Sequence, residues 1–404
     1  MFINARFIHK CFFLLLSILL LVSLLGCGAE DPAEQRAQKV VEEEQKLIVG
    51  LAWPFEGPQG EMREGARLAQ EKLNDAGGVL GREIQFLEFD DKSEVDRAMI
   101  FAQRVADDPS VAAVIAHLDT FLAVPASSVY EAAGVLMISP GATGMPLTER
   151  GLKMVFRTHP SNLQQAEALA ELARERGYNR IVIYYVNNPY GIDLANFFER
   201  RASEFGVEVV DRRAYDFGSD HRRIFRNWLR YQEFQPFDAV FLAGSLPAAA
   251  EIIREARKMG HTVPIFGGDG LDSEILIGLG GEYSEGVITT SVFNKALPDS
   301  RVQNFVAAYE DRYGLSPSSF AAQGYDAVML LADAAEKAGS VDPRDIAAEL
   351  RGSDQRWPEP WVGVTGSHAF SEGGEIVGKP VVFNLVDGGA FYPLRRFVGQ
   401  NSDQ

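Results

Sequence analysis

The sequence predicts an α/β protein built as two doubly wound parallel-sheet lobes with a ligand cleft between them. Three observations lead there. From about residue 46 onward, short apolar runs alternate with segments of helical apolar spacing, which calls for parallel strands covered by helices on both faces. The alternation restarts after residue 160, so a second sheet follows the first. The chain has 404 residues, of which 46% are hydrophobic, enough for two packed cores.

The amino terminus is an export address. Met1 to Lys10 carries Arg6 and Lys10 and no acid, and Cys11 to Leu25 is almost wholly apolar. A basic start, a short apolar core and small residues at its end make a secretory signal over residues 1–26. The apolar run is short for a spanning helix. Leu24-Leu25-Gly26-Cys27 resembles the lipobox of bacterial lipoproteins, in which the cysteine becomes the first residue and is acylated. The mature chain would then be held by lipid on Cys27, anchored to a membrane rather than spanning it. Loss of Arg6 and Lys10 with the signal takes the net charge from −17 to −19. Residues 27–45, rich in Glu, Gln and Ala, read as a lipid-anchored polar tether or a frayed helix.

The first lobe begins with a strand at Lys46–Ala52, followed by the loop Glu56–Gly60. Met62, Ala66, Leu68, Ala69 and Leu73 mark a helix that Gly77-Gly78 ends. A strand at Ile84–Phe89 closes on Asp90-Asp91, which make an acidic turn or a cation site. A helix over 98–106, a strand over 111–116 and a helix over 125–133 follow. Val135-Leu136-Met137-Ile138 is then a strand buried on both faces. It stops at Ser139-Pro140-Gly141, where Pro140 cannot continue the ladder and Gly141 admits a close neighbour.

The second lobe repeats the pattern. Helices are expected over 163–176, 195–205, 225–234, 247–260 and 274–280, and strands over 180–186, 207–210, 238–243, 264–268 and 286–291. No stretch near residue 160 is a flexible linker, so short ordered crossings join the lobes. Three further helices (302–313, 324–338, 343–350) precede a Gly- and aromatic-rich end, residues 357–398, that reads as short strands.

The net charge disfavours nucleic acid and anionic membrane surfaces as main targets. Cys11 and Cys27 both lie in the first segment, so the folded part holds no disulfide, Cys-ligated zinc or Cys nucleophile. No Gly-x-Ser-x-Gly, His-Glu-x-x-His or phosphate-binding Gly-x-x-x-x-Gly-Lys-Ser/Thr motif occurs. His117, His159, His221, His261 and His368 do not pair at ligand spacing and are expected to be structural. An enzyme is disfavoured, and no metal or cofactor is expected.

What gathers past the strand ends is different. Asp119-Thr120-Phe121, Gly141-Ala142-Thr143, Asn188-Pro189-Tyr190, Gly244-Ser245 and Asp269-Gly270 all follow strands. Ligands of open α/β sheets bind there. Hydroxyls, backbone donors and one acid suit a zwitterion, with donors for the carboxylate and a buried acid for the ammonium.

At these residues the chain resembles the type I periplasmic binding proteins, within them the leucine/isoleucine/valine-binding family of ABC importers. The likeness runs from about Lys46 to Phe397 and is carried most by Gly134-Val135-Leu136-Met137-Ile138-Ser139-Pro140-Gly141-Ala142-Thr143. Phe156-Arg157-Thr158, Tyr190-Gly191, Gly324-Tyr325-Asp326-Ala327 and Phe370-Ser371-Glu372-Gly373-Gly374 add order and spacing. The resemblance implies three crossings, with residues 46–159 and 293–368 in lobe 1 and 160–292 and 369–400 in lobe 2. It implies that Thr120, Gly141 and Thr143 meet the α-carboxylate and ammonium of an amino acid, that Asp269 takes the ammonium, and that Phe121, Tyr190 and Ser245 line the site. Asp269 also suits a strand cap.

Three positions depart from the family. Ser245 stands where an aromatic closes over the ligand, Ser93 and Asp119 stand at the positions of a disulfide found in some members, and the loop Glu56–Gly65 is shortened, which leaves open whether Trp53 and Gln59 reach the pocket. The expected function is a lipid-anchored, extracytoplasmic binding subunit that takes a branched-chain or related small amino acid and delivers it to ABC permease subunits. Its expected place is the periplasm, anchored to the cell membrane or the outer membrane. The competing reading is a ligand-sensing or regulatory envelope lipoprotein on the same fold.

Overall fold

The computed structural model describes residues 31–394. The expected signal segment and Cys27 lie outside the described residues. Helix α1 (Pro32–Glu42) leads into β1 (Lys46–Trp53), α2 (Met62–Asp75), β2 (Glu83–Asp90), α3 (Val95–Asp107), β3 (Val111–Ala116), α4 (Thr120–Ala132), β4 (Leu136–Ser139) and β5 (Val155–Arg157). The chain then crosses to a second lobe. This holds α5 (Asn162–Arg176), β6 (Arg180–Val186), α6 (Pro189–Glu204), β7 (Glu208–Tyr215), α7 (Arg222–Phe234), β8 (Ala239–Ala243), α8 (Ala248–Lys258), β9 (Ile265–Gly267), α9 (Glu274–Gly280) and β10 (Ile288–Ser291). It returns for α10 (Ser300–Tyr313), α11 (Ser319–Ala338), α12 (Pro343–Leu350), α13 (Ser353–Arg356) and the ribbon β11 (Trp361–Gly363) and β12 (Gly366–His368). A last crossing adds β13 (Val382–Asp387) and β14 (Ala390–Pro393) to the second sheet.

The first sheet has the order β2-β1-β3-β4-β5 and is parallel throughout. The second has the order β14-β13-β10-β9-β8-β6-β7, parallel except for β13 and β14. In each sheet the order reverses beside its first strand, between β1 and β3 and between β6 and β8. These are the switch points that leave a crevice at the carboxyl ends of the strands. Alternate residues feed opposite cores. Ile181 and Ile183 pack under α5 and α6, while Val182 and Tyr184 pack with Phe225 and Trp228 of α7. Helices α2 and α11 cross with glycines at the contact, Gly65 against the Ala321 backbone and Gly324 against the Met62 carbonyl.

Several expected boundaries move. The strand expected at 207–210 runs to Tyr215, and α4 and α6 begin earlier than expected, at Thr120 and Pro189. Phe370 and Ile376 pair across a bridge and lie in the first lobe's core, while Val381 and Phe383 lie in the second's. The third crossing therefore falls after Ile376, not at residue 369. Fully buried Arg157 braces this region, donating to Gly144 O at 2.7 Å and pairing with Glu375.

The tether is the larger correction. From Pro32 the segment is a docked helix. Asp31 caps it, accepting from Ala33 N at 3.0 Å. Arg36, Ala37 and Val40 share its inner face and are buried. The Arg36 guanidinium donates to the carbonyls of Val105, Ala106, Asp108, Val111 and Ala133 at 2.6–2.9 Å. Three of those carbonyls end α3, where the helix leaves acceptors unpaired and its dipole is negative. Burial pushes Arg36 down to about 10, with the charge of Asp108 opposing. Gly134, at φ +69°, leaves room for Ala33, which a Cβ there would strike.

Candidate functional site

A cleft of about 570 Å³ lies between the lobes at the carboxyl ends of the strands of both sheets. From the first lobe, Thr120 and Phe121 reach it from the first turn of α4, and Gly141 and Thr143 from the loop after β4. From the second, Tyr190 reaches it from the start of α6, Ser245 from the loop after β8, and Asp269 from the turn after β9. All seven residues singled out in the sequence thus line one cavity. Cys27 lies outside the described residues.

Backbone geometry sets the first-lobe wall. Thr120 accepts from Gly144 N at 3.0 Å, which ties the start of α4 to the loop after β4. A Cβ on Gly141 would sit 2.5 Å from the Trp53 ring and 2.9 Å from Leu118, so only glycine fits. Trp53 itself is fully buried behind the wall and donates Nε1–H to Gln59 O at 2.8 Å. Gln59 lines the cleft and Trp53 does not. Behind this wall His117 Nδ1 lies 2.7 Å from Asp91 Oδ2, and Nε2 lies 3.1 Å from the Tyr130 hydroxyl. Asp91 also accepts from Ser93 N at 3.0 Å, and Asp90 from Lys92 N at 3.1 Å. The Asp90-Asp91 pair is thus a built turn. Among the described residues no cluster of three or more His, Cys, Asp or Glu is placed to hold a metal ion.

The second-lobe wall centres on Asp269, which is 5% exposed. The Tyr190 hydroxyl donates to Asp269 Oδ1 at 3.0 Å and accepts from Gly270 N at 3.1 Å. Asp269 N donates to Gln165 Oε1 at 3.1 Å, and Thr290 holds the same oxygen at 2.6 Å. His159 Nε2 stands 4.0 Å from Asp269 Oδ2, and burial pulls its pKa down against the pull of that carboxylate. Burial, together with neighbouring Asp269, holds Tyr190 well above the usual phenol range. One turn later, Asp272 accepts from Asn384 Nδ2 at 3.2 Å beside the second crossing. Burial pushes it up to about 7, against hydrogen bonds from Ser291, Ser319 and Asn384.

Hydrogen bonds join the lobes beside the cleft. Ser273 Oγ–H donates to Pro58 O at 2.9 Å, and Met145 N–H donates to Asp193 Oδ2 at 3.2 Å.

Two aromatic lining residues, Phe217 and Phe320, were not singled out in the sequence. Phe217, 62% exposed, follows β7, whose end the sequence reading placed too early. Phe320 comes from α11 and follows no strand, so the strand-end rule could not find it. Leu118 and Asp119 precede Thr120 and stand in the wall. Burial pushes Asp119 up to about 6, with hydrogen bonding from Ser93 opposing and Asp91 adding to the rise.

Comparison with known proteins agrees with this geometry. Residues 46–389 match the family model described as periplasmic binding protein. A curated relative from Pseudomonas aeruginosa, a leucine-, isoleucine-, valine-, threonine- and alanine-binding protein, is 29% identical over 342 residues, 82% of this chain and 87% of its own. An ABC transporter substrate-binding protein from Desulfitobacterium hafniense, solved with Leu, is 36% identical at a TM-score of 0.77, over 87% of this chain and all of the other. A branched-chain amino acid transporter substrate-binding protein from Streptococcus pneumoniae, solved with isoleucine, is 26% identical at a TM-score of 0.78, over 86% and 98% of the two chains.

Proposed function

The chain belongs to the type I periplasmic binding proteins of the branched-chain amino acid family, and from that premise we propose that it is a lipid-anchored extracytoplasmic subunit of an ABC importer. It binds a small α-amino acid in the cleft, the lobes close on it, and it hands the ligand to permease subunits. Leucine, isoleucine, valine and their relatives are the first candidates, because similar proteins carry those names.

One observation supports this reading above the others. A carboxylate, Asp269, is buried in one wall and held by a tyrosine, while the facing wall offers Thr120, Gly141 and Thr143. In the proposed pose Asp269 takes the α-ammonium, joined by the Gly141 carbonyl. The hydroxyls and backbone N–H groups at Thr120 and Thr143 take the α-carboxylate. Charge-assisted bonds from both lobes to one zwitterion give the ligand a reason to favour the closed form. Phe217 adds an exposed aromatic ring to the second-lobe wall that carries Ser245. Lipid on Cys27 keeps the protein beside its permease.

The test uses residues 28–404, unfolded and refolded to strip carried ligand, in a thermal-shift screen of amino acids, amides and aromatic acids. A ligand bound only by the native state at about a thousand times its Kd stabilises it by about 4 kcal/mol. Asp269→Ala should weaken amino-acid binding by at least about thirtyfold, since it leaves an ammonium unpaired in a closed site. Binding confined to compounds without an ammonium would overturn the role of Asp269. No shift with any amino acid would overturn the function.

A further inference from the structure

The α-groups of an amino acid account for one carboxylate in the cleft, and the cleft holds more than one. Glu56, Asp90, Asp119 and Asp269 line it, against a single cation, Lys92. Asp90 is occupied by the backbone N–H groups of Phe55 and Lys92. Asp119 is only half occupied: Ser93 hydrogen-bonds to its carboxylate on one side. Its Oδ2 is buried and meets no hydrogen-bond donor. It stands at the N-cap of α4 yet makes no capping bond. Lys92, though beside it in the lining, forms no ion pair with it.

The surroundings hold that carboxylate where it is. Ser93 and Lys92 sit at φ +56° and +52°, two successive non-glycine residues in the left-handed region. Such strain is stored where a wall must be shaped. Behind them the Asp91–His117–Tyr130 chain fixes both segments. The cleft lining also carries apolar side chains, Leu118, Phe121, Pro54, Pro58 and Phe320. A buried carboxylate oxygen without a donor is costly, and a cation brought by the ligand removes that cost. An apolar wall with a charge at one end suits an aliphatic stem that carries a positive head.

Resting on the amino-acid reading above, we infer that Asp119 is a specificity-determining residue, selecting an amino acid whose side chain carries a second positive charge. Asp269 on one lobe and Asp119 on the other would then hold the two cationic groups of one ligand. Burial already disfavours the bare carboxylate at Asp119, so the unliganded protein gains from pairing it.

Isothermal titration of refolded residues 28–404 at mildly alkaline pH, with leucine, glutamine, ornithine, lysine and arginine, tests this. At least one of the three basic amino acids should bind about tenfold or more tightly than leucine. Asp119→Asn and Asp119→Ala should each erase that preference, so that on either variant no basic amino acid binds more tightly than leucine. The isosteric Asn variant guards against a folding defect, which circular dichroism would reveal. Leucine or glutamine binding tightest to the unaltered protein would overturn the inference, as would basic ligands indifferent to Asp119→Asn. Failure of every amino acid to bind would instead overturn the function on which the inference rests.

Discussion

Asp272→Asn gives a prediction whose sign and size both follow from burial. The Asp272 side chain lies beside the second crossing, accepts from Asn384, and is pushed by burial from 3.8 to about 7. In the unfolded chain the carboxyl loses its proton near pH 4, and in the native protein only near pH 7. Between those values the native state binds more protons than the unfolded state, so stability falls as pH rises. Three units at about 1.4 kcal/mol each make the loss about 4 kcal/mol, complete above pH 7. An asparagine keeps the acceptor for Asn384 and offers N–H groups to Ser291 and Ser319, and it does not titrate. The two proteins should therefore be about equally stable near pH 4, with the variant ahead by up to about 4 kcal/mol near pH 8. Urea unfolding of the ligand-free proteins at three pH values measures the difference. Asp119, raised to about 6, tilts both curves in the same direction and cancels in the comparison. A difference that stays constant, or shrinks as pH rises, would refute the reasoning.

Two further substitutions test the packing. Arg36→Ala removes five hydrogen bonds worth about 1 kcal/mol each and relieves a desolvation cost of about 3 kcal/mol, so the protein should lose about 2 kcal/mol by chemical denaturation. An unchanged midpoint, with residues 28–45 already open to protease in the unaltered protein, would mean that α1 is not docked in solution. Gly65→Ala would put a methyl 1.8 Å from Ala321 O at the crossing of α2 and α11, and forcing the helices apart should cost about 2–3 kcal/mol. Calorimetry would show it, and an unaltered Tm would show that the crossing yields freely.

The legible parts of the site share one property. Thr120, Gly141, Thr143, Tyr190, Ser245 and Asp269 each follow an apolar run that ends abruptly, and the sheet gathers such ends without further instruction. Residues that reach the cleft by another route left no such mark. Phe320 enters from a helix, and Phe217 was hidden because the charged run Asp211-Arg212-Arg213 within β7 does not look like a strand. Arg36 was opaque for a deeper reason. Its partners lie about 70 to 100 positions away in the sequence, and all are main-chain carbonyls, which no side-chain pattern announces. The third crossing was misplaced by similar means, since Phe370 is kept in the first lobe by its pairing with Ile376.

The docked α1 also changes what an anchor at Cys27 would mean mechanically. Only residues 28–31 separate Cys27 from Pro32, a reach of at most about 18 Å fully extended. The helix grips the lobe where β3 and β4 begin, the end opposite the cleft. A lipid at Cys27 would therefore moor the first lobe by its floor, with its binding wall turned away from the bilayer. Lobe closure would then swing the second lobe against a nearly stationary platform. A permease would meet a mouth of constrained height and heading, and its search would be reduced to lateral drift and rotation about the membrane normal.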